Sequence, residues 1–167
     1  MTTRTLVLVR HAKAEGHSSS GDRGRHLTAE GRDQARRLGL ELAEVLPRID
    51  TAVVSPALRA RETLEGIAGA VDLGEQWVDD SLYLAGVEAI MELARSLTGG
   101  SAVLVGHEPT ISSAATVLAA TREGRDEVGL GVPTATAVIL GFVGEWTDLD
   151  EGTCTLRLVH APVHPAG

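Results

Sequence analysis

Two histidines and two arginines stand where they could act together. His11 follows Arg10 after the apolar run Thr5 to Val9, Arg59 lies one helical turn beyond Ser55, and His107 follows Gly106 after the run Ala102 to Val105. Arginine forks grip phosphoryl oxygens at two points and keep their charge at any working pH. A neutral histidine nitrogen can attack phosphorus if the other ring nitrogen is held by an acceptor such as a backbone carbonyl. Phosphoryl transfer asks mostly for positioning and for neutralisation of spread negative charge. Two imidazoles and two guanidiniums on one patch would meet those needs.

The elements that would carry this patch are legible around it. Thr5 to Val9 and Thr51 to Val54 are short, β-branched, continuously apolar runs, the pattern of strands covered on both faces in a parallel sheet. Ala102 to Val105 repeats it, and a weaker strand is expected around Gln76 to Val78. Thr28 is a suitable N-cap for a helix in which Ala35, Leu38, Leu42, Val45 and Leu46 recur at helical spacing until Pro47. Ser55-Pro56 reads as cap and first-turn proline of a helix to about Ala70, and Pro109 as the first-turn proline of one from about Thr110 to Ala120. A further helix is expected from about Val87 to Leu97, and Thr136 to Phe142 and Thr153 to Val159 read as a strand pair. Thr121 to Val132, charged and rich in glycine, takes no assignment.

Strands alternating with helices predict a three-layer α/β/α sandwich with a mostly parallel central sheet and an antiparallel edge hairpin. In such sheets ligands bind at the carboxyl ends of the strands, which is where Arg10, His11, Ser55 and His107 fall. The 167 residues predict a single domain over 1–160 and a loose tail over 161–167.

Composition narrows the partners. A formal net charge of -8 argues against binding nucleic acid in bulk, so any phosphate site must be local, and only 2% aromatic residues leave no platform for stacked bases. The one cysteine, Cys154, has no partner for an internal disulfide, which favours a reducing compartment, the cytoplasm. No run approaches the roughly 18 apolar residues of a membrane span, and none has a signal peptide's organisation, so a soluble protein that does not bind membranes is expected. No metal-ligand spacing links His17, His26, His160, His164 and Cys154, and no cofactor is called for.

Three ordered motifs carry a resemblance. Leu-Val-Arg10-His11-Ala resembles the Arg-His-Gly signature of the histidine phosphatase superfamily, the phosphoglycerate-mutase-like group. Ser55-Pro-Ala-Leu-Arg59-Ala-Arg-Glu-Thr63 resembles its Ser-x-x-x-Arg-Ala-x-x-Thr motif, and Val105-Gly-His107-Glu-Pro109 its late Gly-His. Arg25-His26-Leu27-Thr28-x-x-Gly31 is similar to the family's entry into its first long helix, with His26 in place of proline. The likeness runs from about Arg4 to Ala120. It implies that His11 is the phosphorylated nucleophile, that Arg10, Arg59 and His107 complete the phosphate pocket, and that the substrate is a phosphorylated protein or small molecule. Arg25 would line the pocket mouth or pair with Asp22.

Ala12 stands where the superfamily mostly has glycine, as it also does in the short SixA-like branch. Mutase-type members carry a glutamate as general acid after the third strand, where this chain has Asp79-Asp80-Ser81-Leu82-Tyr83-Leu84. A departing alkoxide needs a proton, whereas the imidazole of phosphohistidine leaves already protonated. The SixA-like phosphohistidine phosphatases are therefore the branch this chain resembles. Asp80, Glu88 or Glu108 would have to serve as the acid in the alternative, an esterase or mutase acting on a small sugar or nucleotide phosphate. A non-catalytic phosphate-binding module is the remaining reading. Ser55 is expected as an N-cap, Glu108 as a favourable charge at a helix start, and Arg61 on the outer surface of its helix. Trp77, Tyr83, Phe142 and Trp146 are expected in packing roles.

Overall fold

The computed structural model describes residues 2–84 and 86–161. Among these, six strands form one sheet: β1 (Thr3–Arg10), β2 (Arg48–Val54), β3 (Asp72–Val78), β4 (Ser101–Gly106), β5 (Thr136–Val143) and β6 (Thr155–His160). Their spatial order is β3-β2-β4-β1-β5-β6. β4 pairs in parallel with β1 and β2, and β2 in parallel with β3, whereas β5 runs antiparallel to both β1 and β6. The expected sandwich and terminal hairpin are both present.

Alternation along the strands divides the core. Leu6 and Leu8 of β1 face one side, packed with residues of α4 (Val87–Arg95), α5 (Thr110–Leu118) and α6 (Arg122–Val128). Val7 and Val9 face the other, packed with α1 (Ala29–Val45) and α2 (Leu58–Ala68). All four β1 side chains are fully buried, each worth roughly 1.5–3 kcal/mol of transfer free energy. That two-sided burial is why the run reads as unbroken apolar sequence.

Several element boundaries differ from expectation. α2 begins at Leu58, so Ser55 and Pro56 precede the helix, and its N-cap is Ala57 with no side-chain cap bond. α5 likewise begins after Pro109 rather than around it. β3 starts at Asp72, because the ladder with β2 supplies backbone hydrogen bonds to an edge strand whose side chains are mostly exposed and therefore carry little apolar signal. The four-residue α3 (Ser81–Leu84) and α6 were not foreseen. α6 is short and charged, but Thr121 Oγ1 caps it by accepting from Gly124 N–H, at 3.0 Å. Of the expected C-terminal tail only Ala161 is described; 162–167 lie outside the described residues.

The register delivers the polar residues together. Arg10 lies opposite Gly106 on the neighbouring strand, and Val54 opposite Val105, so His11 and His107 leave the sheet side by side with Ser55 beside Gly106. His11 N–H continues the ladder to Gly106 O at 3.1 Å, and Ser55 N–H to Val105 O at 3.0 Å.

Helix α1 locks the segment that follows β1. Thr28 Oγ1 caps α1 by accepting from Gly31 N–H at 3.0 Å, and Thr28 N–H donates to Lys13 O at 3.0 Å. A Cβ on Gly31 would lie 1.9 Å from that same Lys13 oxygen. Only glycine lets the first turn of α1 approach the backbone just beyond His11. Gly31→Ala is expected to destabilise the fold by roughly 3 kcal/mol, a clash against backbone that cannot rotate away. In thermal unfolding this should lower the Tm by several degrees, while Gly16→Ala, where a Cβ meets nothing within 4 Å, should not. Equal melting of both variants with the parent would contradict the close approach.

Candidate active site

His11 sits where β1 ends, and its ring is oriented by its own neighbour. Its Nδ1 lies 2.7 Å from Ala12 O. A carbonyl oxygen only accepts, so Nδ1 carries the hydrogen and Nε2 keeps its lone pair. The Ala12 peptide is held in turn: its N–H donates to Thr63 Oγ1 at 2.9 Å, and the Thr63 hydroxyl donates to Arg59 O at 2.7 Å. Ala12 and Thr63 are fully buried. The last residue of the Ser-x-x-x-Arg-Ala-x-x-Thr motif thus fixes the peptide that orients His11, a role the sequence did not reveal.

Arg10, Arg59 and His107 lie near this ring. The His11 and His107 ring centroids are 5.3 Å apart. Arg10 Nη1 donates to Val132 O at 2.7 Å. Arg59, buried on α2, donates from Nη1 to Asp22 O at 2.8 Å and from Nη2 to Asp22 Oδ2 at 3.1 Å. Its Nη2 also lies 3.4 Å from His107 Nδ1. Of four buried side-chain nitrogens without a hydrogen-bond partner among the described residues, two are here, Arg10 Nε and Arg59 Nε. Buried donors without acceptors are costly.

Ser55 is not the N-cap expected of it, a position that Ala57 takes. Its Oγ accepts from Ala57 N–H at 3.2 Å and lies 2.7 Å from His107 Nε2. A hydroxyl both donates and accepts, so it can support His107 with Nδ1 turned to the pocket either as acceptor or as donor. Glu108 has the expected helix-start role: Oε1 accepts from Ser112 N–H and Oε2 from Ser112 Oγ, each at 2.7 Å. Oε2 also accepts from Val132 N–H at 3.1 Å, which steadies the peptide segment that anchors Arg10. Asp80 and Glu88 are exposed, just before α3 and in the first turn of α4, and Arg61 is exposed on α2.

The mouth holds a cluster that sequence reading largely missed. Asp22 Oδ1 accepts from Arg25 Nη1 at 2.9 Å, so the pairing foreseen for Arg25 is present, and Arg25 Nε donates to Glu15 O at 2.5 Å. Asp22 Oδ2 accepts from the Tyr83 hydroxyl at 2.5 Å. Tyr83 is therefore a wall of the site rather than a packing residue: its ring stands edge-on to His107 at 5.5 Å, with the Arg23 guanidinium 4.5 Å over its face. Phe142 and Trp146 do pack in the core, and Trp77 stays partly exposed on β3. The one signal for Asp22 was its position in the polar loop before Arg25.

Burial sets the charges of the two rings. His11 is pushed down to about 4, first by desolvation, with the Ala12 carbonyl bond opposing the fall and Arg59, Arg10 and Arg25 adding to it. His107 is pushed down to about 3, again first by burial and then by Arg59 and His11, against a small opposing pull from Asp22. Both imidazoles are neutral at pH 7, the state a nucleophile requires. The bond from Tyr83 first, then those from Arg25 and Arg59, hold the Asp22 carboxyl well below the usual carboxylate range, and the same bond to Asp22 raises the Tyr83 phenol.

An α/β sandwich with paired imidazoles and guanidiniums at its parallel strand ends defines a class of phosphoryl-handling proteins, and the comparisons specify the family. The profile of the histidine phosphatase superfamily (branch 1) matches residues 6–83. An uncharacterised protein of Mycobacterium tuberculosis is 32% identical over 165 residues, covering 92% of this chain and 99% of that one. A candidate phosphohistidine phosphatase SixA from Nakamurella multipartitia has a structure similar at TM-score 0.85 and 29% identity, covering 98% of this chain and 99% of that one. Its counterpart from Agrobacterium tumefaciens gives 0.78 and 25%, with 96% and 99% covered. The chain belongs to the histidine phosphatase superfamily. It is a phosphatase, a hydrolase of the phosphoglycerate-mutase-like fold. Among the described residues no helix is long and apolar enough to cross a membrane.

The lowered histidines have a direct signature. Both folded-state values lie below the ordinary 6.5, so the unfolded chain binds protons first. Their contribution to stability is complete above about pH 6.5 and is lost as pH falls towards 4 and 3. NMR titration of the His11 ring should give a midpoint near 4, with stability declining across that window. A midpoint near 6.5 would contradict the desolvated pocket.

Proposed function

We propose that the protein removes phosphoryl groups from phosphohistidine in proteins, through a phosphorylated His11. The observation that carries this reading is a His11 Nε2 freed by the Ala12 bond and lying within the field of the Arg59 and Arg10 guanidiniums. His11 Nε2 attacks phosphorus while Arg10, Arg59 and His107 hold the oxygens, with Arg25 at the mouth. The leaving group departs opposite His11, and water then hydrolyses the phosphohistidyl enzyme, releasing inorganic phosphate. Ser55 and Thr63 position His107 and the Ala12 peptide, and residues 1–160 act as one catalytic domain.

The leaving group is inferred from what faces it. Tyr83, in the stretch where mutase-type members carry their acid, donates its hydroxyl to Asp22, and Glu108 is spent on Ser112 and Val132. Without a proton to give, the site favours a group that leaves unaided, as the protonated imidazole of phosphohistidine does. The names of the similar SixA structures agree with that choice. The cytoplasm suits a chain whose sole cysteine, Cys154, is buried and free.

Rapid quench with phosphohistidine peptide should trap an acid-labile phosphoenzyme. His11→Ala should lose both that intermediate and turnover, by at least about 1,000-fold in kcat, since removal of a nucleophile leaves only binding and electrostatic contributions. Turnover of the variant at the parental rate would refute the nucleophile. Hydrolysis of a simple alkyl phosphate as fast as phosphohistidine would instead favour the esterase reading.

A further inference from the structure

Asp22 presents a problem of charge. A carboxylate at the mouth of an anion pocket should repel a phosphoryl dianion, yet the site holds Asp22 firmly: Arg25 on Oδ1, Arg59 and Tyr83 on Oδ2, and Arg59 Nη1 on its main-chain oxygen. Three donors on one carboxylate make it a poor proton source and leave it an acceptor. Nor does it consume the pocket. Asp22 takes hydrogens from Nη1 and Nη2 of Arg59, while Nε has no partner and Nη2 also approaches His107. A guanidinium has five N–H groups, so one edge can hold Asp22 while another holds phosphoryl oxygens. Both anions can be bound at once.

Tyr83 shows where the carboxylate stands. Its ring is edge-on to His107 and its hydroxyl ends at Asp22 Oδ2, so the carboxylate lies on the rim beside His107. The Asp22 side chain is 49% exposed, open to an arriving group. In an in-line displacement the leaving group departs on the side opposite the attacking His11 nitrogen.

We propose that the Asp22 carboxylate recognises the leaving imidazole of phosphohistidine, accepting its N–H while phosphorus passes to His11. This rests on the phosphohistidine reading above and names its specificity-determining residue. The substrate reacts as its imidazolium, one ring nitrogen bonded to phosphorus and the other bearing hydrogen. The Nε2 lone pair of His11 forms the new N–P bond. The electrons of the old P–N bond return to the departing nitrogen, which leaves as neutral imidazole with its other N–H still directed at Asp22. No proton passes to or from the carboxylate. The charge of Asp22 favours the cationic substrate and gives nothing to an ester, whose leaving oxygen has no hydrogen to offer.

The test compares kcat/KM for a phosphohistidine peptide and for p-nitrophenyl phosphate in the parent and in Asp22→Asn. Asparagine keeps one acceptor oxygen and the main-chain bond to Arg59, but removes the charge and turns the other oxygen into a donor, so one side of the Arg25, Arg59 and Tyr83 set is lost. That loss bears on both substrates and cancels in their ratio, and thermal melting checks that the variant is folded. The expected result is at least a tenfold fall in the ratio of phosphohistidine to ester kcat/KM, with the alkaline limb of the phosphohistidine kcat profile, which titrates the bound substrate, moved to lower pH. A purely structural role would move neither the ratio nor that limb. An unchanged ratio would overturn the proposal and reduce Asp22 to an orienting partner of Arg59. A joint rise on both substrates would overturn it in favour of a carboxylate that blocks the pocket. If the parent hydrolyses the ester and not the peptide, the phosphohistidine reading fails first and the proposal with it.

Discussion

The hydrogen bond between His11 Nδ1 and the Ala12 carbonyl, 2.7 Å long, is the constraint around which the site is built. It ties the tautomer of the ring to the backbone of the next residue, so the direction of the Nε2 lone pair becomes a property of the main chain. That peptide cannot rotate freely, because its N–H is held by Thr63. Thr63 belongs to α2, the helix that also carries Arg59, and its hydroxyl is bonded to the Arg59 carbonyl. One chain of bonds therefore sets the attacking atom and the helix bearing a phosphate-facing guanidinium in a fixed relation. The close approach of Gly31 to Lys13 secures the same segment from the α1 side.

Electrostatics follows from this placement. The chain is acidic overall, at a net charge of -8, yet three arginines lower the proton affinity of the buried His11. Burial is the largest influence on both histidines, and it acts in the direction chemistry needs, keeping the rings neutral between permanently charged guanidiniums. The peptide carbonyl opposes that fall for His11. The acidic surface has its counterpart at the rim, where Asp22 is the one carboxylate bonded to both Arg59 and Arg25 among the described residues.

What could be read in advance was what local pattern encodes. Leu6 to Val9, Ala52 to Val54 and Ala102 to Val105 advertise themselves because both faces are buried, and the polar residues at their ends are conspicuous for interrupting apolar runs. Strand register then places Arg10, His11, Ser55 and His107 together, and Arg59 follows on its helix. β3 was under-read because an edge strand needs only one partner's ladder, and α6 because its helix depends on a cap and a small buried face. Tyr83 and Asp22 were not paired in advance because the contact joins residues separated by 61 positions, through a loop with no periodicity. Ser55 was read as a cap because a serine before a proline fits one; its contact with His107 spans 52 positions and exists only once β2 and β4 are adjacent.

The most direct test of the central claim is the protonation pattern of the His11 ring, observed by long-range proton–nitrogen correlation NMR on ring-labelled protein at neutral pH. A neutral ring protonated on Nδ1, with a bare Nε2, is the expected result, and phosphorylation should then place phosphorus on Nε2. A ring protonated on Nε2, or a doubly protonated ring at pH 7, would remove the nucleophile from the position the fold has prepared and contradict the account.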